Sequence, residues 1–280
     1  MKSGSIAAAC AALVVACLPG VASASPVVAA SAARVGSAPV TSAAGAPVAY
    51  AVTAAYDVPA LEGTDNDTAS LVFRSPEAPG TAGGTFDEQS LPVGPLSTGT
   101  SWFLDVNRKV GWFDDSVPPA GATAPRSYES TATLSGSGSV DAHVQADYML
   151  EAQGGPQHVW LYLDDATSIA QCPGLRGTGG SGLWVRQPDG VLARVALPLD
   201  EPYVVRDVPL RLPQVSMADQ NLPQFADISV RTAGPGELVG ADGPVAAGWR
   251  VDVDSYVIGT NGREDRGHSV LVLGGAACTS

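Results

Sequence analysis

The residues best suited to chemistry in this chain are three histidines and several paired carboxylates. The histidines are His143, His158 and His268, and serines and aspartates are abundant enough to complete a Ser-His-Asp site. Asp252 and Asp254 stand two positions apart in a strand-like run, so their side chains share one face. Two carboxylates on one face could hydrolyse a glycoside, whereas the alternative is a solvated polar face of a sheet.

The motifs that usually accompany such chemistry are missing from the sequence. Its nearest approach to a nucleophile elbow, Gly179-Gly180-Ser181-Gly182-Leu183, ends in leucine where the motif requires glycine. Neither the helical zinc-protease motif nor a phosphate-binding P-loop occurs. The pairs Asp114-Asp115 and Asp164-Asp165 would point to opposite faces of a strand. We therefore predict no catalytic residue and no cofactor, with a secreted hydrolase using Asp/Glu or Ser-His chemistry as the alternative.

Two kinds of ligand binding stay open at this stage. The loop Asp65-Asn66-Asp67 could bind calcium, although it lacks the glycine and the distal glutamate of the helix-loop-helix calcium motif. No cluster of His and Cys supplies the four ligands of zinc, and we predict no metal site. The pairs Trp102-Phe103 and Trp112-Phe113, and Trp160 with Tyr162, could stack on sugars. Burial in a core is the alternative for these rings.

The first residues have the pattern of a secretory signal. A basic start at Lys2 is followed by an apolar core over Ile6–Ala16, which is too short to span a bilayer. Ala22-Ser23-Ala24 is a small-x-small cleavage site, so the mature chain is expected to begin at Ser25. The alternative is a lipoprotein anchored at Cys17. We predict a secreted protein, with or without cell-wall association, and no transmembrane segment in the mature chain.

The cysteine count predicts one disulfide. Cys10 and Cys17 lie within the signal, which leaves Cys172 and Cys278 in the mature chain. Two cysteines in an oxidising compartment favour a bond between them. A pair of free buried thiols is the alternative.

The charge balance excludes one class of partner. The formal net charge is −13, and removal of the signal takes away one base, Lys2, and no acid. Such a surface repels nucleic acid, so no nucleic-acid partner is expected. The richness in Ala and Gly and the scarcity of lysine are typical of a high-GC actinobacterium.

The element that organises the second half is a predicted hairpin. Apolar residues occupy alternate positions throughout Val140–Leu150, as in a half-buried antiparallel strand. Gln153–Pro156 supplies turn residues, and His158–Leu163 returns with two faces that can both be buried. This second strand is expected to end at Asp164-Asp165.

Other short apolar runs are separated by turn signals, which predicts an all-β antiparallel sandwich. Ser75–Gly99 is expected to be a long irregular connection, Gly174–Gly182 a glycine-rich loop, and Leu197–Pro213 an edge strand or extended segment. The runs at Ser101–Val106 and Val110–Phe113 form a candidate hairpin. The other predicted strands are Val48–Tyr56, Leu71–Phe73, Leu183–Arg186, Val191–Leu197, Ala226–Arg231, Trp249–Ile258 and Ser269–Leu273.

The expected organisation has four parts: a signal at 1–24, an Ala/Ser/Pro-rich leader at 25–47, an N-terminal β region at 48–125 and a C-terminal sandwich at 126–280. The proline-rich stretch Asp114–Arg126 marks the internal boundary. One domain over 48–280 is the alternative.

From Thr131 to Cys278, the order of features resembles a known family. An alternating strand, a second strand, Cys172-Pro173, a glycine-rich loop, a proline-rich run and a terminal cysteine follow one another. This arrangement is similar to secreted actinobacterial choice-of-anchor P family proteins. The resemblance implies a secreted or cell-surface module of unknown activity. It transfers no catalytic residue, and Arg250–Asp254 departs from the usual final strand. Export, the acidic surface and the lack of a convergent His, Cys or metal cluster predict a non-catalytic module that binds an extracellular protein or glycan.

Overall fold

The computed structural model describes residues 47–58, 67–93, 102–107, 119–122, 127–152, 159–172, 174–213, 219, 221–234, 236–237 and 245–279. Within this range the chain forms strands and no helix. The strands are β1 (Val48–Val58), β2 (Asp67–Arg74), β3 (Gly80–Phe86), β4 (Gln89–Val93), β5 (Trp102–Val106), β6 (Tyr128–Leu134), β7 (Val140–Ala152), β8 (Val159–Cys172), β9 (Leu175–Gly179), β10 (Gly182–Arg186), β11 (Leu192–Val195), β12 (Tyr203–Pro209), β13 (Gln224–Thr232), β14 (Val245–Gly259) and β15 (Gly262–Thr279).

These strands form two antiparallel sheets that face each other as a sandwich, and neither sheet closes into a barrel. The six-stranded sheet has the order β12-β13-β14-β15-β1-β2. The nine-stranded sheet has the order β11-β10-β8-β7-β5-β4, with β6 and β3 beside β7, and β9 beside β8. The predicted all-β antiparallel sandwich is confirmed.

The predicted hairpin is the centre of the nine-stranded sheet. β7 pairs with β8 along most of its length, from Val140 opposite Cys172 to Glu151 opposite Val159. Each strand is long enough to take two further partners, one after the other, on its free edge. Val144 and Tyr148 are buried and Gln145 is exposed, as the alternation of β7 predicts, whereas Asp141, expected to be largely exposed, is half-buried.

The core lies between the sheets and draws on the whole described chain. Its main cluster combines Trp102 and Leu104 of β5 with Trp249 and Leu271 of the other sheet. β1 pairs with β15, so that Val48 lies opposite Thr279. The first and last described strands are therefore neighbours in the middle of one sheet.

Three strands of the six-stranded sheet are irregular at the same level. The register of β14 shifts at Gly248, and that of β1 shifts at Thr53, which lies level with Gly274 of β15. Gly274 has a φ of 58°, and the Tyr148 hydroxyl of the facing sheet donates to the Thr53 carbonyl at 2.7 Å. A Cβ on Gly274 would lie 3.1 Å from that hydroxyl oxygen, so the residue leaves room for the contact.

Two segments predicted to be irregular are strands instead. The connection Ser75–Gly99 contains β3 and β4, and the loop Gly174–Gly182 contains β9. Glycine lowers strand propensity, which is why these segments gave no strand signal. Hydrogen bonding to neighbouring strands keeps these segments extended despite their glycines, because β3 pairs along β6 and β9 pairs along the end of β8. β12 is the outermost strand of its sheet, as the prolines of Leu197–Pro213 predict.

The predicted end of the second hairpin strand at Asp164-Asp165 is wrong. These residues form a bulge, and β8 continues beyond them to Cys172. Asp165 adopts a left-handed φ of 51°, which aspartate tolerates better than most residues. The Asp147 carboxylate accepts the Asp165 N–H at 2.7 Å and replaces the ladder hydrogen bond that the bulge removes. The last strand is likewise longer than predicted, because β15 begins at Gly262.

Several predictions fall outside the described residues. They include the signal, Cys17, nearly all of the leader, and the turn at Gln153–Pro156. Val110–Phe113, the predicted hairpin partner of β5, also lies there, and β4 and β7 occupy the two edges of β5.

Candidate functional site

The carboxylates of Asp252 and Asp254 meet a histidine on the outside of the six-stranded sheet. His268 of β15 lies opposite Asp254 of β14 in the ladder. Its Nδ1 is 2.8 Å from Asp254 Oδ1, and its Nε2 is 3.3 Å from Asp252 Oδ1. The shared face of the two aspartates, which the sequence predicts, is therefore real.

Two arginines, one from β14 itself and one from the neighbouring β13, complete this group. Arg250 Nη2 donates to Asp252 Oδ1 at 2.7 Å, and Arg231 of β13 is 3.9 Å from the other oxygen of Asp252. Arg231 also forms a two-pronged pair with Glu237, at 2.6 and 2.7 Å. The bond from Arg231 lowers the pKa of Glu237 to about 2. Asp252 and Glu237 are thus paired with arginines, while Asp254 stays exposed beside His268.

The position of the group argues against catalysis. Asp254 and His268 have side chains that are 59% and 51% exposed, on a sheet face whose opposite side is the core. Both ring nitrogens of His268 face carboxylates, which leaves neither free to take a proton from a serine. A group open to water in this way gains little of the electrostatic advantage of an enclosed active site.

The other histidines do not join this site. His143 lies on β7 in the nine-stranded sheet, where its Nδ1 is 3.6 Å from Glu129 Oε1. His158 falls outside the described residues.

Ser181, at the centre of the elbow-like string, lies just before β10. Its hydroxyl donates to Asp165 Oδ2 at 3.0 Å, and its N–H donates to the Asp164 carbonyl at 2.8 Å. It faces a shallow groove whose lining contains no histidine and no carboxylate. The Ser181 hydroxyl thus meets a carboxylate directly, and the lining of this groove holds no histidine to complete a Ser-His pair.

Several acids on the outer side of the nine-stranded sheet are buried, which the sequence pattern does not predict. Asp147 and Asp164 are only 8% and 2% exposed, and Asp105 and Glu151 are also buried. Asn107 Oδ1 accepts the Asp147 N–H at 2.6 Å, next to the bulge of β8. Burial raises the pKa of Asp147 to about 6, and the charges of Asp164 and Asp165 act in the same direction.

Trp102 and Trp160, two of the tryptophans that could have formed a sugar-binding platform, are buried. The rings of Trp102 and Trp160 lie 5.0 Å apart in the core, and Trp102 Nε1 donates to the Arg211 carbonyl at 2.7 Å. Tyr162 is buried in a smaller cluster with Trp184. Trp112-Phe113 falls outside the described residues, and Phe103 is half-buried.

Cys172 and Cys278 form the predicted disulfide, with their Cα atoms 6.0 Å apart. Cys172 ends β8 and Cys278 lies near the end of β15, so the bond joins the two sheets. The alternative of two free thiols is excluded.

Among the described residues, no group of three or more His, Cys, Asp or Glu side chains is arranged to hold a metal ion. Asp65 and Asn66 of the predicted calcium loop lie outside that range. The same part of the chain contains no helix that could cross a membrane. Comparison with family models, curated proteins and solved structures finds no match to this chain.

Proposed function

We propose that this protein is a secreted or cell-wall-associated, non-catalytic β module that binds an extracellular partner or glycan. The observation that carries the proposal is the placement of Asp252, Asp254 and His268 on an open sheet face. We name the contact surface the outer polar face. It consists of Asp227, Arg231, Arg250, Asp252, Asp254 and His268.

The geometry of the outer polar face suits recognition better than turnover. Its side chains come from three adjacent strands, which hold them in fixed register. Asp254 presents an exposed carboxylate beside His268, while Asp252 is held by Arg250. An exposed carboxylate at the centre favours a partner with a basic group at the matching position. A glycan would be held by hydrogen bonds, because Trp102 and Trp160 are buried.

Export is part of the same proposal. Lys2, the apolar core and Ala22-Ser23-Ala24 support a signal that is cleaved before Ser25, and the resemblance to choice-of-anchor P proteins supports a surface location. The Cys172–Cys278 bond is stable in an oxidising compartment. Mass spectrometry of the protein recovered from the medium should find Ser25 at its amino terminus. An acylated Cys17 at that position would instead establish the lipoprotein alternative.

Binding can be tested on cells and cell walls of the organism that makes the protein. The labelled protein is sedimented with each fraction, and the bound amount is measured over a concentration series. We expect saturable binding that weakens at least tenfold in Asp254→Lys, because the charge reversal repels a basic partner. The matched control Asp200→Lys makes the same change at an exposed loop position and should bind normally.

The same fractions distinguish the hydrolase alternative. Soluble fragments released over time are measured with the unmodified protein and with Asp252→Asn. A binding module releases none. Release that depends on Asp252 would overturn the proposal and establish a hydrolase. Equal binding by Asp254→Lys and the unmodified protein would exclude the outer polar face.

A further inference from the structure

A shallow groove lies at the open end of the β10–β11 hairpin in the nine-stranded sheet. One wall is the turn that precedes β10, and the other is the end of β11 with the residues that follow it. Its lining residues are Gly180, Ser181, Arg194, Val195, Ala196 and Leu197.

The single charged group in this lining, Arg194, is held in place. Its guanidinium carbon lies 5.3 Å from the centre of the Trp184 ring, and Nη2 donates to the Ser181 carbonyl at 3.3 Å. Trp184 is itself buried, and its ring packs over Gly182, where a Cβ would lie 2.4 Å from the ring. Because a guanidinium carries five N–H groups, the bond to Ser181 leaves donors for an incoming anion.

Ser181 presents the opposite polarity. Its hydroxyl hydrogen is committed to Asp165 Oδ2 at 3.0 Å, and Asp165 Oδ1 accepts from Gln145 Nε2 at 2.6 Å. The lone pairs of Ser181 Oγ can therefore accept a hydrogen bond, but the hydroxyl does not donate one into the groove. The groove thus combines a cationic donor, a neutral acceptor and the half-buried aliphatic side chain of Leu197.

We propose that this groove binds the carboxyl end of an extended peptide. The terminal carboxylate pairs with the Arg194 fork, the last amide N–H donates to Ser181 Oγ, and a small aliphatic side chain packs on Leu197. A sugar acid would offer the anion but would find no exposed ring to stack on, because Arg194 covers Trp184. The inference rests on the proposed binding function and names one chemistry of partner.

Titration calorimetry on the purified protein tests the assignment with three probes. They are an N-acetylated alanine tripeptide with a free carboxylate, the same tripeptide as its C-terminal amide, and glucuronic acid. We expect the free acid to bind at least tenfold more tightly than the amide or glucuronic acid. Arg194→Gln should weaken binding of the free acid at least tenfold, and Ser181→Ala should weaken it severalfold.

The matched control is Arg206→Gln, which removes an exposed arginine from β12 and should leave binding unchanged. Arg194→Lys guards against a folding defect, because it keeps the charge and loses the fork; it too should bind more weakly. Equal binding of acid and amide, undiminished binding by Arg194→Gln, a preference for glucuronic acid, or no binding of the free acid would each overturn the inference. Sedimentation with cell walls and Asp254→Lys tests the proposed function separately, so the two failures are distinguishable.

Discussion

Asp147 lies at the point where the two central strands change partners. It lies opposite the two-residue bulge of β8. Its carboxylate accepts the Asp165 N–H, and its own N–H donates to Asn107 Oδ1. The alternation of Val140–Leu150 predicts that the Asp147 side chain points to solvent. On the same side of the sheet, Ala122 from a separate segment packs against the cluster that contains Met149 and Tyr162. Local alternation therefore could not reveal that Asp147 is buried.

The raised pKa of Asp147 predicts that stability depends on pH. A carboxyl with a pKa of about 6 in the folded protein and about 3.9 when unfolded binds more protons in the folded state between those values. Stability should therefore fall as the pH rises from about 4 to about 6, by roughly 2–3 kcal/mol for this group alone. Asp147→Asn keeps the acceptor oxygen and should remove this part of the decline.

Urea unfolding at several pH values between 4 and 7 measures the effect. Asp200→Asn, at an exposed position, is the control and should follow the unmodified protein. An unchanged pH slope in Asp147→Asn would show that other groups cause the decline.

Gly182 is required by the ring that packs over it. A Cβ there would lie 2.4 Å from Trp184, a buried side chain that also contacts the edge of the Tyr162 ring at a centroid distance of 5.7 Å. Gly182→Ala should lower the free energy of unfolding by about 1–3 kcal/mol, because a packed ring has little room to move. Gly177→Ala, in β9 with open space around it, should be close to neutral. Equal stability of the two variants in denaturant unfolding would contradict this packing argument.

At the scale of strands, the register irregularities of the two sheets face each other and are joined by a hydrogen bond. Tyr148 follows the bulge of β7–β8 and donates to Thr53 at the irregularity of β1. The sequence predicts β7 well, since Val140–Leu150 alternates without a break. It does not predict β3 and β9, whose order comes from pairing with β6 and β8 and not from their own glycine-rich residues.

The contact between Tyr148 and Thr53 requires a glycine at position 274. Gly274→Ala would force a side chain into a left-handed conformation and within 3.1 Å of the Tyr148 hydroxyl oxygen. Conformation alone costs about 1 kcal/mol, and crowding should bring the loss to roughly 2–3 kcal/mol. Gly138→Ala, in a turn with a φ of 85° and open surroundings, measures the conformational part separately. Unfolding free energies that fall equally in both variants would show that the Tyr148 contact imposes no crowding.

At the scale of the whole molecule, the prediction succeeded where local signals sufficed. Short strands with frequent turns predict a sandwich, and the cysteine count predicts the Cys172–Cys278 bond. Only part of the candidate site was predicted: the common face of Asp252 and Asp254, which follows from their spacing. The approach of His268 depends on the register of β14 with β15, which a turn at 260–261 sets. The sequence predicts that the last strand begins at Ser269, several residues too late to include His268.

The disulfide is expected to stabilise the whole molecule. It closes a sequence separation of 106 residues and joins β8 of one sheet to β15 of the other. The chain-entropy model gives about 4–5 kcal/mol for so long a loop, which corresponds to a fall in Tm of roughly 8–20 °C on reduction. The sheets should persist, because the main core cluster, in which Trp102 of one sheet meets Trp249 of the other, contains neither cysteine.

Calorimetry with and without reductant measures the fall in Tm, and far-ultraviolet circular dichroism follows the strands. The double variant Cys172→Ala/Cys278→Ala is the control. It should match the reduced protein if the cross-link itself stabilises, apart from the small packing loss of two sulfur atoms. An unchanged Tm after reduction confirmed by thiol titration would contradict the entropic account. Loss of the β spectrum at room temperature would show instead that the two sheets cannot hold together without the bond.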